Sequence, residues 1–267
     1  MPVTLDAIIA ATRRRVAGAS KSVARHDLER RAQAHAPRGL RHALEAADSV
    51  AIIAELKKAS PSRGLIRADF GPASLAQELE TAGAAALSVL TDEEFFQGAL
   101  ENLALASSHT RLPCLRKDFI LDEFQILEAR AYQADAILLI VAALSQSELI
   151  ALARKAREFG LDVLCEVHDE AELRRALDAG CNLIGVNNRD LRTFKVDLAT
   201  AFRLAALMPK NITPVAESGI RNGSDIANLQ SAGYRAFLIG ESLMAAPSPG
   251  AGLRELLASI ASPLRKS

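Results

Sequence analysis

Residues 136–187 read AILLIVAALSQSELIALARKAREFGLDVLCEVHDEAELRRALDAGCNLIGVN, and their periodicity decides the fold. Ala136–Val141 is an unbroken run of aliphatic side chains of strand length. Ser145–Phe159 spaces its apolar residues as a helix does. Ser145 stands at its start, Glu148 follows three residues later and Gly160 comes just after its end, which predicts a capping box and a glycine C-cap. Asp162–Val167 is again apolar and β-branched. Asp169–Ala179 opens on an aspartate cap and stops at Gly180, and Leu183–Asn187 is a third strand. Strands that are apolar along their whole length are buried on both faces. Alternating with capped helices, they specify a parallel sheet covered by helices.

The same rhythm extends in both directions. Upstream lie strand candidates Val50–Leu56, Ala85–Leu90 and Pro113–Arg116; downstream lie Ile212–Glu217 and Arg235–Gly240. Helix Pro72–Ala82 is framed by Gly71 and Gly83, and Ser224–Ala232 begins on serine and ends at Gly233. The strands recur at roughly 20 to 35 residues, enough for a strand and its crossover helix. Eight such units predict an α/β chain: a single (β/α)8 TIM barrel with an N-terminal helical extension. A doubly wound sheet has the same local pattern, but no G-x-G-x-x-G follows the first strand and no P-loop is present. We expect residues 1–48 to form the extension, packed on the barrel, and 49–267 to form the catalytic barrel. The extension contains helical segments Leu5–Ala17 and His26–Ala34, and either caps the bottom of the barrel or flanks its mouth. Its cations (Arg13, Arg14, Arg15, Lys21, Arg25, Arg30, Arg31) read as a solvated face, with an anionic partner as the alternative.

Composition narrows the function. Lys+Arg and Asp+Glu both number 32, so no net positive charge draws nucleic acid. Trp is absent and aromatics are 4%, too few for base-stacking platforms. The run Ala136–Leu144 is about half of a membrane span, and no apolar leader opens the chain. Cys114, Cys165 and Cys181 are isolated, without zinc-ligand spacing or a disulfide pattern. We therefore expect no metal, no cofactor, no nucleic acid and no membrane partner, and a reducing cytoplasmic setting. A monomer and an oligomer are both compatible with the sequence.

In such a barrel the site is built at the C-terminal ends of the strands. Strand side chains alternate, so Ile53, Glu55 and Lys57 share a face, as do Leu115 and Lys117. Glu166, Asn187 and Glu217 end the fifth, sixth and seventh strands. Taken singly each has a bland reading: solvated loop residues, turn-forming Asn187-Asn188, a plain Lys117-Asp118 ion pair. Converging on one mouth, they suit acid–base catalysis. His168 shares the face of Glu166 and reads equally as its support or as a structural histidine. Ser218-Gly219 and Gly240-Glu241-Ser242 end strands seven and eight, where barrels often bind phosphate through backbone N–H groups. Ser60-Pro61-Ser62-Arg63-Gly64 adds hydroxyls and a cation. The Glu241 carboxylate would repel phosphate and is expected to point away.

Assembled in order, these motifs resemble the indole-3-glycerol-phosphate synthase family, in its monofunctional form, over nearly the whole chain. The resemblance rests on Glu55-Leu56-Lys57-Lys58-Ala59-Ser60-Pro61-Ser62-Arg63-Gly64, Leu115-Arg116-Lys117-Asp118-Phe119-Ile120 and Glu166-Val167-His168. It continues with Gly185-Val186-Asn187-Asn188-Arg189-Asp190-Leu191 and Ala216-Glu217-Ser218-Gly219-Ile220. Gln133 departs from an expected glycine, and Arg63 stands where lysine is also usual. The resemblance implies a phosphorylated small-molecule substrate, 1-(2-carboxyphenylamino)-1-deoxyribulose 5-phosphate, whose indole ring is closed with loss of carbon dioxide and water in tryptophan biosynthesis.

It also implies roles. Lys117 is the acid at the forming oxyanion, with Lys57 close by. Glu166 transfers a proton, Glu55 orients a lysine, and Asn187 and Glu217 hold sugar hydroxyls. Arg189 assists the substrate carboxylate or the polar network, and Phe96, Phe119, Leu138, Leu191 and Ile220 wall the aryl ring. Ser60 and Ser218 complete the substrate contacts, and Lys57, Ser60, Gly219, Gly240, Glu241 and Ser242 surround the phosphate. Two other readings stay open: a Schiff-base aldolase using Lys117, and a non-catalytic barrel.

Overall fold

The computed structural model describes residues 4–191 and 193–261. Eight parallel strands close into a barrel: β1 (Ala51–Leu56), β2 (Ala86–Leu90), β3 (Cys114–Lys117), β4 (Ala136–Ile140), β5 (Asp162–Val167), β6 (Leu183–Asn187), β7 (Thr213–Glu217) and β8 (Ala236–Ile239). Each pairs with its sequence neighbours, and β8 returns to β1 with Ile53 opposite Leu238. Every strand predicted from the sequence is present, with ends displaced by a residue at most. After β1 the chain adds a two-stranded hairpin, Ala59–Ser60 with Gly64–Leu65, which periodicity does not reveal.

Alternation separates two cores. Ile53, Leu115, Leu138, Leu164, Leu183, Val215 and Leu238 fill the barrel interior. Their neighbours Ile52, Ala54, Leu139, Cys165, Ile184, Ala216 and Phe237 face the outer helices. Period two then carries Glu55, Lys117, Glu166, Asn187 and Glu217 into the interior face at the C-terminal mouth.

The helices begin where their caps dictate. Ser145 and Glu148 form the capping box of the helix Gln146–Glu158, and Asp169 caps Glu170–Asp178. The helix after β7 is Gly223–Ser231, and its capping box is Asn222 with Asp225 rather than Ser224, whose hydroxyl donates to Asn222 Oδ1. Gln133, where a glycine is expected, has φ 65°, a left-handed conformation that glycine adopts most readily.

The extension does both things its length allows. Helix α1 (Leu5–Ser22) reaches the mouth, where Leu5 and Ile8 line the cavity. Helix α2 (Arg25–Gln33) packs Leu28 and Ala32 against Leu127 and Ala131 on the barrel flank. Helix α3 (Leu40–Glu45), unforeseen from the sequence, buries Leu40 and Leu44 in the barrel interior with Ala51, Ala86 and Ala236 at the strand starts. Its Arg41 N–H donates to Asp162 at the start of β5 (2.9 Å). Just before it, Arg38 and His35 bind Asp135 at 2.6 and 3.0 Å, while Asp135 also accepts the Cys114 N–H. The basic residues form a solvated face, all exposed but the half-buried Arg15, and several make ion pairs or ring contacts on it: Arg13 meets Glu148, Arg15 meets Asp118, Arg25 meets Glu29, Arg30 meets Asp27, and Arg31 lies over the Tyr132 ring. Among the described residues no helix is long and apolar enough to cross a membrane.

Candidate active site

A cavity of about 920 Å³ opens at the C-terminal ends of the strands. At its floor Lys117 Nζ lies 3.4 Å from Glu217, 3.5 Å from Glu166 and 3.9 Å from Glu55. Lys57 Nζ donates to Glu55 at 2.5 Å. Asp118, the sequence neighbour of Lys117, is not its partner. It pairs instead with Arg116 (2.9 Å) and Arg15 (3.2 Å) and accepts from the Thr91 hydroxyl (2.8 Å). Lys117 is thus left to the three glutamates.

Burial and charge set the protonation pattern. Burial opposes the ammonium of Lys117, but Glu217, Glu166 and Glu55 outweigh it and hold its pKa above the usual lysine value. Glu166 is buried too, yet Lys117, His168 and the Asn187 amide bring it down to about 2. Glu55 is held below the ordinary value: burial is outweighed by Lys57 and Lys117. Glu217 goes the other way. Burial, reinforced by Glu166 and Glu55, overcomes Lys117 and pushes it up to about 8. At neutral pH Glu55 and Glu166 are therefore carboxylates, Lys117 is an ammonium and Glu217 is a neutral carboxylic acid.

Two glycines make room for this cluster. A Cβ on Gly185 would stand 2.0 Å from Glu217 Oε1, and one on Gly240 would stand 2.4 Å from Glu55 Oε1. Glycine on β6 and at the end of β8 lets a neighbouring strand's carboxylate lie against bare backbone. Asn187 Oδ1 accepts the Arg189 N–H (3.0 Å). Asn188 ties the ends of β6 and β7 together through the Glu217 carbonyl (2.9 Å).

All the predicted wall and rim residues line the one cavity. Phe96 and Phe119 stand with ring centroids 6.4 Å apart, joined by Leu138, Leu191 and Ile220. Ser60, Ser218, Gly219, Gly240, Glu241 and Ser242 occupy the rim beside Lys57. Ser218 and Gly219 both have positive φ, 61° and 81°, so β7 ends in a sharp left-handed turn. The Glu241 carboxylate takes Arg63 at 2.8 Å and lies 3.6 Å from Arg189, and all three residues line the cavity. Two guanidiniums offset its charge.

Sequence reasoning missed Leu5 and Ile8 of α1, which close one side of the cavity, and Gly185. It left His168 undecided; the imidazole lies 3.4 Å from Glu166 and 3.0 Å from Glu172. The i,i+4 spacing of His168 and Glu172 was the available signal for that pair.

Comparison with known proteins gives the family. Among solved structures, a thiamine phosphate pyrophosphorylase from Pyrococcus furiosus superposes with a TM-score of 0.61 at 15% identity, covering 79% of this chain and 96% of that one. KGPDC from Streptococcus mutans gives 0.62 at 11% identity, covering 80% and 98%. At such identities they speak for the barrel alone. The indole-3-glycerol phosphate synthase of Koribacter versatilis is 60% identical over 259 residues, covering 96% of this chain and all of its own. That of Acinetobacter baylyi is 55% identical over 207 residues, covering 77% of each. The family model described as indole-3-glycerol phosphate synthase matches residues 5–256, which take in the barrel, the floor glutamates and Lys117, and by that match the chain belongs to the indole-3-glycerol phosphate synthase family.

Proposed function

We propose that the protein closes the indole ring of 1-(2-carboxyphenylamino)-1-deoxyribulose 5-phosphate, releasing carbon dioxide and water, as a lyase of tryptophan biosynthesis. The observation that carries this reading down to the residues is Lys117, ringed by Glu55, Glu166 and Glu217 at the floor of a cavity with an aromatic side and a glycine-serine rim.

The chemistry accounts for each part. The aryl carbon that bears the carboxylate attacks the ribulose carbonyl, and the carbonyl oxygen takes up the electron pair. Lys117 donates its proton there. The carbon–carboxylate bond then breaks and carbon dioxide departs. Glu166 removes the proton next to the ring nitrogen while the new hydroxyl leaves as water, taking a proton from the lysine side of the site, where Lys57 stands beside Glu55. Glu217, neutral and with neither oxygen in a hydrogen bond of good geometry, is free to meet the sugar hydroxyls together with Asn187. Phe96, Phe119, Leu138, Leu191 and Ile220 enclose the aryl ring. Arg189 answers the carboxylate.

The phosphate belongs at the rim. Ser60, Ser218, Gly219, Gly240 and Ser242 bring hydroxyls and backbone N–H groups, Glu241 contributes its backbone, and Lys57 supplies charge. All three cysteines are free and buried, which fits a reducing compartment such as the cytoplasm.

Turnover is the test. Purified protein given this substrate should release carbon dioxide and develop indole fluorescence together. Borohydride trapping of a covalent Lys117 adduct, with no indole formed, would favour an aldolase instead.

A further inference from the structure

We propose that His168 is a positioning residue for Glu166: an imidazolium, fixed by Glu172, that keeps the base ionised through the reaction. This deepens the reading of Glu166 as the base of the ring closure and rests on it.

The geometry begins at Glu172, in the first turn of the helix Glu170–Asp178. Its Oε2 accepts the backbone N–H of His168 at 2.8 Å and faces His168 Nδ1 at 3.0 Å. A carboxylate only accepts hydrogen bonds, so Nδ1 carries a proton. On the other side of the ring, Nε2 lies 3.4 Å from Glu166 Oε1. A bare Nε2 would set its lone pair against a carboxylate in a buried site. Protonating Nε2 turns that repulsion into an ion pair, so the ring is held as a cation between two carboxylates. Burial opposes the charge, but Glu166 and Glu172 outweigh it and bring His168 up to about 10. His168 is absent from the cavity lining and stands behind Glu166.

Glu166 thus has a cation for each oxygen, His168 at Oε1 and Lys117 at Oε2 (3.5 Å). The other groups facing it are the Asn187 amide from β6, Glu55 from β1 and Glu217 from β7. The two glutamates favour protonation of Glu166. Lys117 opposes it only while charged, and Lys117 is the group that gives its proton away. His168 takes no part in the chemistry and keeps its charge throughout, so the acid and the base remain distinct.

Two readouts test this. In the NMR spectrum of the full enzyme, the His168 ring, assigned by its loss in His168→Gln, should remain protonated from about pH 6 to about pH 9. Titration near the ordinary histidine value overturns the proposal. In kinetics, His168→Gln keeps an amide donor but removes the charge. The acid limb of kcat should move up by about one pH unit or more, with KM within about threefold. Glu172→Gln, on the outer side of the ring, should move the limb in the same direction by less, and it carries the kinetic test if His168→Gln fails to fold. A loss of kcat by one factor at every pH marks a merely structural histidine and overturns the proposal. If wild-type protein does not turn over the substrate, the reading of the function fails, while the NMR result still stands or falls alone.

Discussion

At the scale of single residues, similar side chains are driven to different states by what surrounds them. Glu166 and Glu217 are both buried and both face Lys117. Glu166 also has His168 and Asn187 and stays ionised, whereas Glu217 lacks them and holds its proton to about pH 8. The sign of the consequence is fixed. Below that pH Glu217 is a neutral hydrogen-bonding group; above it, it is a third negative charge facing a substrate that is itself an anion. We predict that kcat/KM falls as pH rises through about 8, and that Glu217→Gln, neutral at every pH, removes that limb. A variant profile that still bends at the same pH assigns the limb elsewhere. This distinction was not legible in the sequence, where Glu166 and Glu217 both appear as glutamates at strand ends. Their presence and common face were legible, because a period of two fixes them from Leu164 and Val215. Gly185 stayed silent because its reason, the Glu217 carboxyl, lies on the neighbouring strand.

At the scale of elements, the parallel strands and capped helices could be read directly because each carries a local signal. Two-sided apolar runs mark the strands, and Ser145 and Asp169 mark helix starts. Pieces that depend on tertiary partners could not be read. The hairpin after β1 has two residues per strand, and α3 has only Leu40 and Leu44 to announce it. That short helix closes the barrel floor. Leu44→Ala should cost about 2–5 kcal/mol in denaturant unfolding while leaving KM unchanged, since it empties a buried site at the end opposite the cavity. A cost well under 1 kcal/mol would show that Leu44 is not a packed plug. The turn ending β7 makes the opposite split. Gly219 has φ 81°, and a Cβ there would stand 2.4 Å from Val196 Cγ1. Gly219→Val should raise KM roughly tenfold or more and weaken inhibition by inorganic phosphate, with the fold retained. Unchanged values for both would move the phosphate away from this turn.

At the scale of the whole molecule, one chain wraps the barrel from mouth to floor. Leu5 and Ile8 border the cavity, α2 lies along the flank, and Leu40 and Leu44 fill the bottom. We propose that residues 1–48 and 49–267 fold as one unit and do not separate. The closed sheet brings β1, β3, β5 and β7 together around one amine, a convergence no single strand contains. We propose that this amine is the acid of ring closure. The most direct measurement is single-turnover kinetics on folded Lys117→Met, which keeps the apolar stem and loses the charge and the proton. A positioned acid contributes about 10²–10⁴-fold, and this one also faces the developing oxyanion, so ring closure should slow by about 10⁴-fold or more with substrate still bound. Ring closure within about tenfold of wild type would contradict the account and pass the proton to Lys57.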